Sequence, residues 1–218
     1  MLLLGRKFTT QKRTRNLELS RKAILEIAFF EVFTKGFQGV SVDDIVAKTH
    51  LTKGAFYHHF PTKLDLGYAL VEDVITPMIL DRWITPLKSF ENPLEGILSQ
   101  MKTLIGKADP KNLRWGCPLN NLVQEMAPVD AGFRKRLEKA LNLWIDQMDI
   151  HLKRAQQKKY LKSDINTRQV AHFIVMSHEG FYGMLKGLND PHAFDALYQS
   201  LKIYFKAIEH HPKKRKHI

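Results

Sequence analysis

Three consecutive residues, Thr52, Lys53 and Gly54, place a hydroxyl, an ammonium and a bare backbone at the predicted N-terminus of a short helix. A helix N-terminus presents unpaired N–H groups and a partial positive charge, which suit a phosphate. Gly54 lets the backbone approach another surface, although glycine costs roughly 1 kcal/mol relative to alanine inside a helix. The same helix carries Tyr57 and His58, two flat side chains that form hydrogen bonds. These residue types indicate a surface that binds a polyanion.

The segment that presents these residues, 41–60, has the proportions of a helix-turn-helix. Ser41 is the predicted N-cap of its first helix, and Asp44 three residues later completes a capping box. Thr52 is the predicted cap of its second helix. The turn between the helices requires a residue with positive φ, and His50 lies there in place of the usual glycine.

The rest of the chain also has the pattern of helices, because runs that alternate apolar and polar residues are scarce. A helix over about 17–35 has one apolar stripe and ends at Gly36. Pro61 ends the helix-turn-helix, and a long helix follows over about 63–82. Several more helices are expected beyond it, so the predicted fold is all-α.

The charge of the chain is concentrated at its ends. The net charge of the 218 residues is +12, and residues 1–63 hold 11 Lys and Arg against 5 Asp and Glu. A further run of four basic residues lies at 213–216. This distribution favours nucleic acid or an anionic membrane surface as a partner, and charge alone does not choose between them.

Several classes of protein are disfavoured by composition. The single cysteine allows no intramolecular disulfide, which fits a reducing compartment. The apolar N-terminus is too short for a signal peptide, and no apolar run approaches the roughly 18 residues of a membrane span. The ten histidines have no metal-ligand spacing, and no catalytic motif is present. We therefore expect a cytoplasmic protein that is not an enzyme and has no cofactor, no metal and no membrane-spanning segment.

A dense pattern runs through the basic N-terminal region, in the residues Ile24, Leu25, Ala28, Phe33, Gly36, Phe37, Val40, Ser41, Val42, Asp43, Asp44, Ile45 and the run 51–63. Over about residues 20–66 this pattern resembles the DNA-binding domain of the tetracycline-repressor (TetR) family. The resemblance implies an N-terminal three-helix helix-turn-helix domain and a larger C-terminal helical domain for ligand binding and dimerisation. The expected parts are a flexible basic arm over 1–15, the DNA-binding domain over 16–62, the effector domain over 63–210 and a basic tail over 211–218.

The resemblance also implies which residues contact DNA, position by position. These are Ser41, Thr52, Lys53, Gly54, Tyr57, His58 and Lys63. Lys53, Gly54 and His58 would lie nearest the bases, and Lys63 would contact the DNA backbone. In contrast, Phe56 and Ile45 are expected in the core of the small domain.

The region 85–189 is rich in bulky apolar residues of the kind that line ligand pockets in helical bundles, and equally of the kind that fill plain cores. The candidate effector-binding residues are Trp115, Cys117, Asn121, Glu125, Trp144 and Phe173. The polar members of this set either orient a ligand or face water.

Cys117 is the candidate with the most specific predicted chemistry. Pro118 is a predicted first helical residue, which makes Cys117 the N-cap, where a helix N-terminus lowers a thiol pKa. The run Gly-Cys-Pro-Leu-Asn-Asn at 116–121 resembles a motif in a subset of the family, some of whose members respond to electrophiles or oxidants. The alternative is a small, half-buried residue that opens a helix.

A predicted helix over about 166–188 carries Met176, Gly180, Gly183 and Gly187 on one face. Three glycines cost roughly 1 kcal/mol each unless another helix approaches closely. The helix and its successor resemble the family's dimer interface, a four-helix bundle made from two chains. The alternative is packing within one chain.

The expected function is that of a dimeric transcriptional repressor, which a small molecule releases from a palindromic DNA operator. The effector is either a non-covalent ligand or an electrophile or oxidant that acts at Cys117. The alternatives are a transcriptional activator or a nonspecific DNA-binding protein with the same DNA-binding domain, and, least favoured, a small-molecule carrier or enzyme.

Overall fold

The computed structural model of the chain describes residues 4–106, 113–188, 190 and 192–210, with side chains from residue 16 onward. Across these residues the chain folds into helices joined by turns, with one isolated antiparallel bridge between Leu161 and Glu209. The all-α prediction is confirmed. The predicted tail at 211–218 lies outside the described residues. Within the described part of the chain, the helices are too short or too polar to cross a bilayer.

The helices follow one another without a sheet between them. In chain order they are α1 (Leu4–Lys35), α2 (Val42–Thr49), α3 (Lys53–His59), α4 (Lys63–Ala69), a π-helical segment (Leu70–Ile75), α5 (Thr76–Trp83), a 3-10 segment (Thr85–Ser89), α6 (Pro93–Leu104), α7 (Pro118–Met126), α8 (Ala131–Gln157), α9 (Thr167–Leu188) and α10 (Ala193–Ile208). The helix expected over about 63–82 corresponds to α4, the π-helical segment and α5, which continue one another.

The first helix begins at Leu4, earlier than the predicted start near residue 17. The segment 4–15, expected as a non-helical arm, therefore belongs to α1. Residues 6–35 contain no glycine or proline and are rich in Lys, Arg, Glu and Leu, which are good helix formers. The predicted end is confirmed, since α1 stops at Lys35 and Gly36 has a φ of +80°.

The predicted caps of the helix-turn-helix are present. The Ser41 hydroxyl accepts a hydrogen bond from Asp44 N at 3.1 Å, and the Asp44 carboxylate accepts one from Ser41 N at 2.8 Å. Thr52 caps α3 by accepting from Ala55 N at 3.2 Å. His50 has a φ of 56°, as predicted for the turn. Local sequence signals therefore place both helices correctly.

The chain divides into two compact units. Unit 1 comprises Met1–Ile75 and Asn121–Leu137, and unit 2 comprises Thr76–Asn120 and Glu138–Ile218. Unit 1 extends beyond the residue 62 expected as the end of the DNA-binding domain. Aromatic packing explains the addition, because the Phe133 ring lies 4.8 Å from that of Phe37 and 5.2 Å from that of Tyr68.

Unit 2 is organised around α8. Trp144 of this helix is buried. One turn further on, Asp149 accepts a hydrogen bond from Thr167 Oγ1 at 2.6 Å, which joins α8 to α9. Arg154 donates to the carbonyl oxygens of Leu87 at 2.8 Å and Phe90 at 3.0 Å. The same helix therefore holds both the segment before α6 and the start of α9.

A buried carboxylate connects α1 to α2 in unit 1. The Glu31 side chain is 2% exposed, and it accepts from Lys35 Nζ at 2.8 Å and Lys48 Nζ at 2.5 Å. The hydrogen bond from Lys35, and next that from Lys48, hold the pKa of Glu31 below its usual range, against the opposing effect of burial. The two ion pairs fix the first helix of the helix-turn-helix on α1.

Replacing Glu31 with Gln should lower the free energy of unfolding at pH 7 by about 1–2 kcal/mol, because charge-assisted hydrogen bonds at a buried group are lost. Urea unfolding followed by circular dichroism measures this change. The folded pKa of Glu31 lies below the unfolded value of about 4.3. The stabilisation is therefore present above the unfolded pKa and is lost as the pH falls through the folded pKa.

The matched control is Glu26→Gln on the same helix. Glu26 pairs with Lys22 at 3.7 Å, and both side chains are well exposed. This substitution should change the free energy of unfolding by less than about 0.5 kcal/mol, as expected of an exposed ion pair. Equal losses for the two variants would show that Glu31 does not hold α2 on α1.

Candidate functional site

Helix α3 has one buried and one exposed side. Phe56 is completely buried in unit 1. Lys53, Gly54, Tyr57 and His58 are exposed, and the Tyr57 side chain is 48% accessible. Four of the seven predicted DNA contacts therefore lie together on the open side of one short helix. That side offers an ammonium, a bare backbone, a phenol and an imidazole to an external surface.

The other three predicted DNA contacts lie at helix starts. Ser41 and Thr52 are exposed caps whose hydroxyls take part in capping bonds. Lys63 opens α4 and is half-buried, with its ammonium 4.6 Å from the centre of the Phe37 ring. Burial lowers the pKa of Lys63. All three residues belong to unit 1 together with α3.

An acidic residue that sequence reasoning had assigned no role lies beside the exposed face. Asp43 accepts a hydrogen bond from Lys53 Nζ at 2.6 Å, and both side chains are more than half exposed. This hydrogen bond raises the pKa of Lys53. A phosphate that binds Lys53 must therefore compete with Asp43. The pairing joins residues of adjacent helices, and the local pattern around Lys53 did not reveal it.

Contacts with α1 hold the end of α3. Ser20 Oγ lies 2.7 Å from His59 Nε2, and burial is the main cause that lowers the pKa of His59. The Arg21 guanidinium lies 5.4 Å from the centre of the Phe60 ring and pairs with Asp73 at 2.5 Å. These contacts orient α3, so that His58 is exposed while its neighbour His59 faces α1.

Glu125, expected as an effector contact, has a structural role in unit 1. Its carboxylate accepts from Phe37 N at 2.8 Å and from Gln38 N at 2.7 Å. These N–H groups belong to the turn after α1, which Gly36 opens. Both carboxylate oxygens are therefore engaged by the backbone, and Glu125 fixes the path of the chain from α1 towards α2.

The other effector candidates lie on several segments of the chain. Phe173 of α9 packs on Tyr204 of α10, with ring centres 4.4 Å apart. Trp115 is half-buried, and the Arg114 guanidinium lies 4.6 Å from the centre of its ring. Asn121 is half-buried on α7 and is counted with unit 1.

Cys117 precedes α7, which begins at Pro118 as predicted. The expected lowering of its pKa is wrong. The residue is 5% exposed, and burial raises the pKa of the Cys117 thiol well above its usual value, with a further contribution from the nearby Glu179 carboxylate. Backbone N–H groups at the helix start act in the opposite direction and do not overcome burial.

The structure brings Cys117 and Trp144 to a side-chain cluster in unit 2 that sequence reasoning missed. Potential ligand atoms of Cys117, His178 and Glu179 lie within 4.8 Å of one another. The His178 ring also lies 4.6 Å from Trp83 and 5.0 Å from Trp144, measured between ring centres. These residues come from four separate segments of the chain, and only the fold reveals the cluster.

Comparison with known proteins identifies the family. The profile described as "Tetracyclin repressor-like, C-terminal domain" matches residues 93–201, and that described as "Bacterial regulatory proteins, tetR family" matches residues 24–70. The first match covers half of the chain. The second contains the complete helix-turn-helix.

Relatives and solved structures agree with this assignment. An HTH-type transcriptional regulator from the lacX 3' region of Lactococcus lactis subsp. lactis is 26% identical over 195 residues, which is 88% of this chain and 96% of the relative. The HTH-type transcriptional repressor DhaR of Mycobacterium sp. (strain GP1) is 23% identical over 181 residues, 80% of this chain and 84% of the relative. A TetR-family regulator from Cytophaga hutchinsonii has the same fold, with a TM-score of 0.81, 22% identity and coverage of 89% and 96%. The chain therefore belongs to the tetracycline-repressor (TetR) family of DNA-binding transcriptional regulators.

Proposed function

We propose that this regulator is a homodimeric, non-enzymatic repressor in the cytoplasm, which binds a palindromic operator and which a small-molecule effector releases. The exposed face of α3 carries this proposal, because Phe56 anchors the helix while Lys53, Gly54, Tyr57 and His58 remain open. A recognition helix that enters a major groove needs this division into two sides. The similar Mycobacterium protein DhaR is described as a repressor, which supports repression over activation.

The DNA contacts divide into two groups by position. Lys53, Gly54 and His58 lie on the exposed side of α3 and would approach base edges, with Tyr57 beside them. Ser41, Thr52 and Lys63 lie at helix starts and would contact phosphates. Phosphate contacts set affinity and orientation, while base contacts set specificity.

Dimerisation is supported by an unpaired apolar face on α9. Met176 is 61% exposed, and helical spacing places Met184 and Leu188, which are similarly exposed, on the same face. A Cβ added at Gly180 or Gly183 would meet no atom of the described residues within 4 Å. Among the described residues, no helix fills this face at these glycines, and we assign the face to a second copy. Two copies are what a palindrome with two half-sites requires.

The effector would bind in unit 2, around His178. Cys117 and Trp144 lie at this cluster, and we keep Trp115, Asn121 and Phe173 as further proposed effector contacts. Glu125 is left out, because backbone N–H groups occupy its carboxylate. An effector that binds more tightly to a state of low operator affinity would shift the dimer to that state and release it from DNA.

Attack on an electrophile by Cys117 is the less favoured form of the effector proposal. The thiolate is the reactive species, and burial raises the pKa of this thiol well above its usual value. A non-covalent ligand fits the buried environment better. Unchanged operator affinity after treatment with a thiol-specific electrophile would agree with this choice.

The primary test is fluorescence anisotropy of the full-length protein on the DNA directly upstream of its own gene, with a scrambled duplex as control. We expect specific binding about 10³-fold tighter than binding to the scrambled duplex, and both should weaken with salt. If the upstream and scrambled duplexes bind equally, a genome-wide selection of bound fragments supplies further duplexes to measure. Equal affinity for all of them and for the scrambled duplex would identify a nonspecific DNA-binding protein. Reporter transcription with and without the protein separates repression from activation.

Lys53→Ala and Tyr57→Ala should each weaken operator binding by about tenfold or more in about 0.15 M salt, because each removes a contact of the exposed face. Lys139→Ala is the control, since it removes the same charge from an exposed position of α8 in unit 2. The control should bind as the unmodified protein does. If Lys53→Ala and Tyr57→Ala both bind the operator normally, the surface that recognises DNA lies elsewhere.

Asp43→Asn should strengthen DNA binding by about threefold or more, because it removes a negative charge and releases Lys53 from its ion pair. Asp195→Asn on α10 is the matched control with the same change of charge, and its affinity should not change. Anisotropy at several salt concentrations measures both variants. Weaker binding of Asp43→Asn would mean that Asp43 orients Lys53 for DNA and does not compete with it.

Met176→Lys should convert the dimer to a monomer, because it puts a charge on the exposed apolar face of α9. Size-exclusion chromatography with light scattering over a dilution series measures the mass. Val129→Lys is the control, since Val129 is 66% exposed and lies in unit 1. A monomeric unmodified protein, or a Met176→Lys protein that remains dimeric, would contradict the assigned interface.

A further inference from the structure

Three side chains in unit 2 form a set of donors that suits a transition metal. Potential ligand atoms of Cys117, His178 and Glu179 all lie within 4.8 Å of one another. Cys117 is 5% exposed and His178 is 3% exposed. Sulfur, imidazole nitrogen and carboxylate oxygen are the three ligand types that bind zinc in proteins. Sequence spacing had indicated no metal site, because the cysteine lies about 60 positions before the histidine in the chain.

Two polar atoms of this cluster are buried without a hydrogen-bond partner among the described residues. His178 Nδ1 lies 2.9 Å from Glu179 Oε1, which leaves His178 Nε2 and Glu179 Oε2 unpaired. Buried polar atoms in native proteins nearly always have a partner, and each exception needs an explanation. A thiol donor at Cys117 could serve the Glu179 carboxylate. His178 Nε2 would still have no hydrogen-bond partner among the described residues.

The surrounding contacts hold all three groups in place. Backbone N–H groups of Asn120 and Leu119 lower the pKa of the Cys117 thiol, against the larger effect of burial. The side chain of Asn120 donates to the backbone oxygen of Glu179 at 3.0 Å, which ties the start of α7 to α9. Such outer contacts orient the ligands in known metal sites.

Aromatic rings enclose the imidazole. The ring of His178 packs nearly perpendicular to those of Trp83, Trp144 and Tyr182, with ring centres 4.6, 5.0 and 4.9 Å away. This packing limits rotation of His178 and shields the cluster from water. An orientation fixed in this way favours a ligand over a freely rotating histidine.

We propose that Cys117, His178 and Glu179 bind one divalent transition-metal ion of the zinc class through a sulfur, a ring nitrogen and a carboxylate oxygen. Ligands of tetrahedral zinc lie roughly 3.3–3.8 Å apart, given bonds of about 2.0–2.3 Å, so the cluster must contract by about 1 Å. The Cys117 S–H proton leaves to solvent as the metal–sulfur bond forms. Three protein ligands leave a fourth position for water or a small molecule. This site is independent of the proposed DNA contacts.

Titration of the full-length protein with Co²⁺ in a thiol-free reductant tests the site. We expect one Co²⁺ per chain, a sulfur-to-cobalt charge-transfer band, visible bands of a four-coordinate ion and the release of one proton. Zn²⁺ should displace the Co²⁺ and abolish the bands. The chain has a single cysteine, so a charge-transfer band can only report Cys117. Absence of that band at one equivalent of Co²⁺ would overturn the proposal.

Variants separate the site from general structural effects. Cys117→Ser should abolish the charge-transfer band, and Glu179→Gln, which keeps the shape of the side chain, should weaken Co²⁺ binding by at least about tenfold. His151→Gln is the control, because His151 is another buried histidine of unit 2. Circular dichroism checks the fold of each variant. An unchanged affinity in Glu179→Gln, or an equal loss in His151→Gln, would refute the assigned ligands.

Discussion

The geometry of the face that we assign to DNA depends on how a helix of seven residues, α3, is held in place. An isolated helix of this length is not stable in water, because the cost of nucleation exceeds the few hydrogen bonds that it forms. Helix α3 persists because Phe56 is fully buried in unit 1 and Thr52 caps its first turn. The contact between Ser20 and His59 holds its end. Every exposed group of α3 takes its direction from these few anchors.

The ion pairs of unit 1 differ in burial and therefore in how much they stabilise the fold. Glu31 is buried between two lysines, so its ion pairs fix α2 on α1. The pair of Lys53 and Asp43 is exposed, and exposed pairs contribute little to stability. The first kind of pair fixes two helices of unit 1 on each other, while the second can be broken at little cost to the fold. A surface that binds DNA benefits when its exposed ion pairs do not also hold the fold together, since breaking them then costs little folding free energy.

The two ends of helix α7 make different contacts. At its start, Cys117 lies in the cluster with His178 and Glu179 in unit 2. Near its end, Glu125 holds the turn after α1 in unit 1 through two backbone hydrogen bonds. The start of α7 therefore belongs to the cluster of unit 2, while its later residues belong to unit 1.

Local patterns along the chain were enough to predict both helices of the helix-turn-helix and which of their residues face outward. Caps at Ser41 and Thr52, the positive φ at His50 and the apolar position of Phe56 are local signals, because each acts within a few residues along the chain. The start of α1 was misjudged, since a charged segment without an apolar stripe also forms a helix when no residue breaks it. Tertiary structure alone decided that Glu125 binds backbone, that Asp43 pairs with Lys53 and that burial raises the pKa of Cys117. Those outcomes depend on which distant segments meet, and a linear pattern does not encode the distance between them.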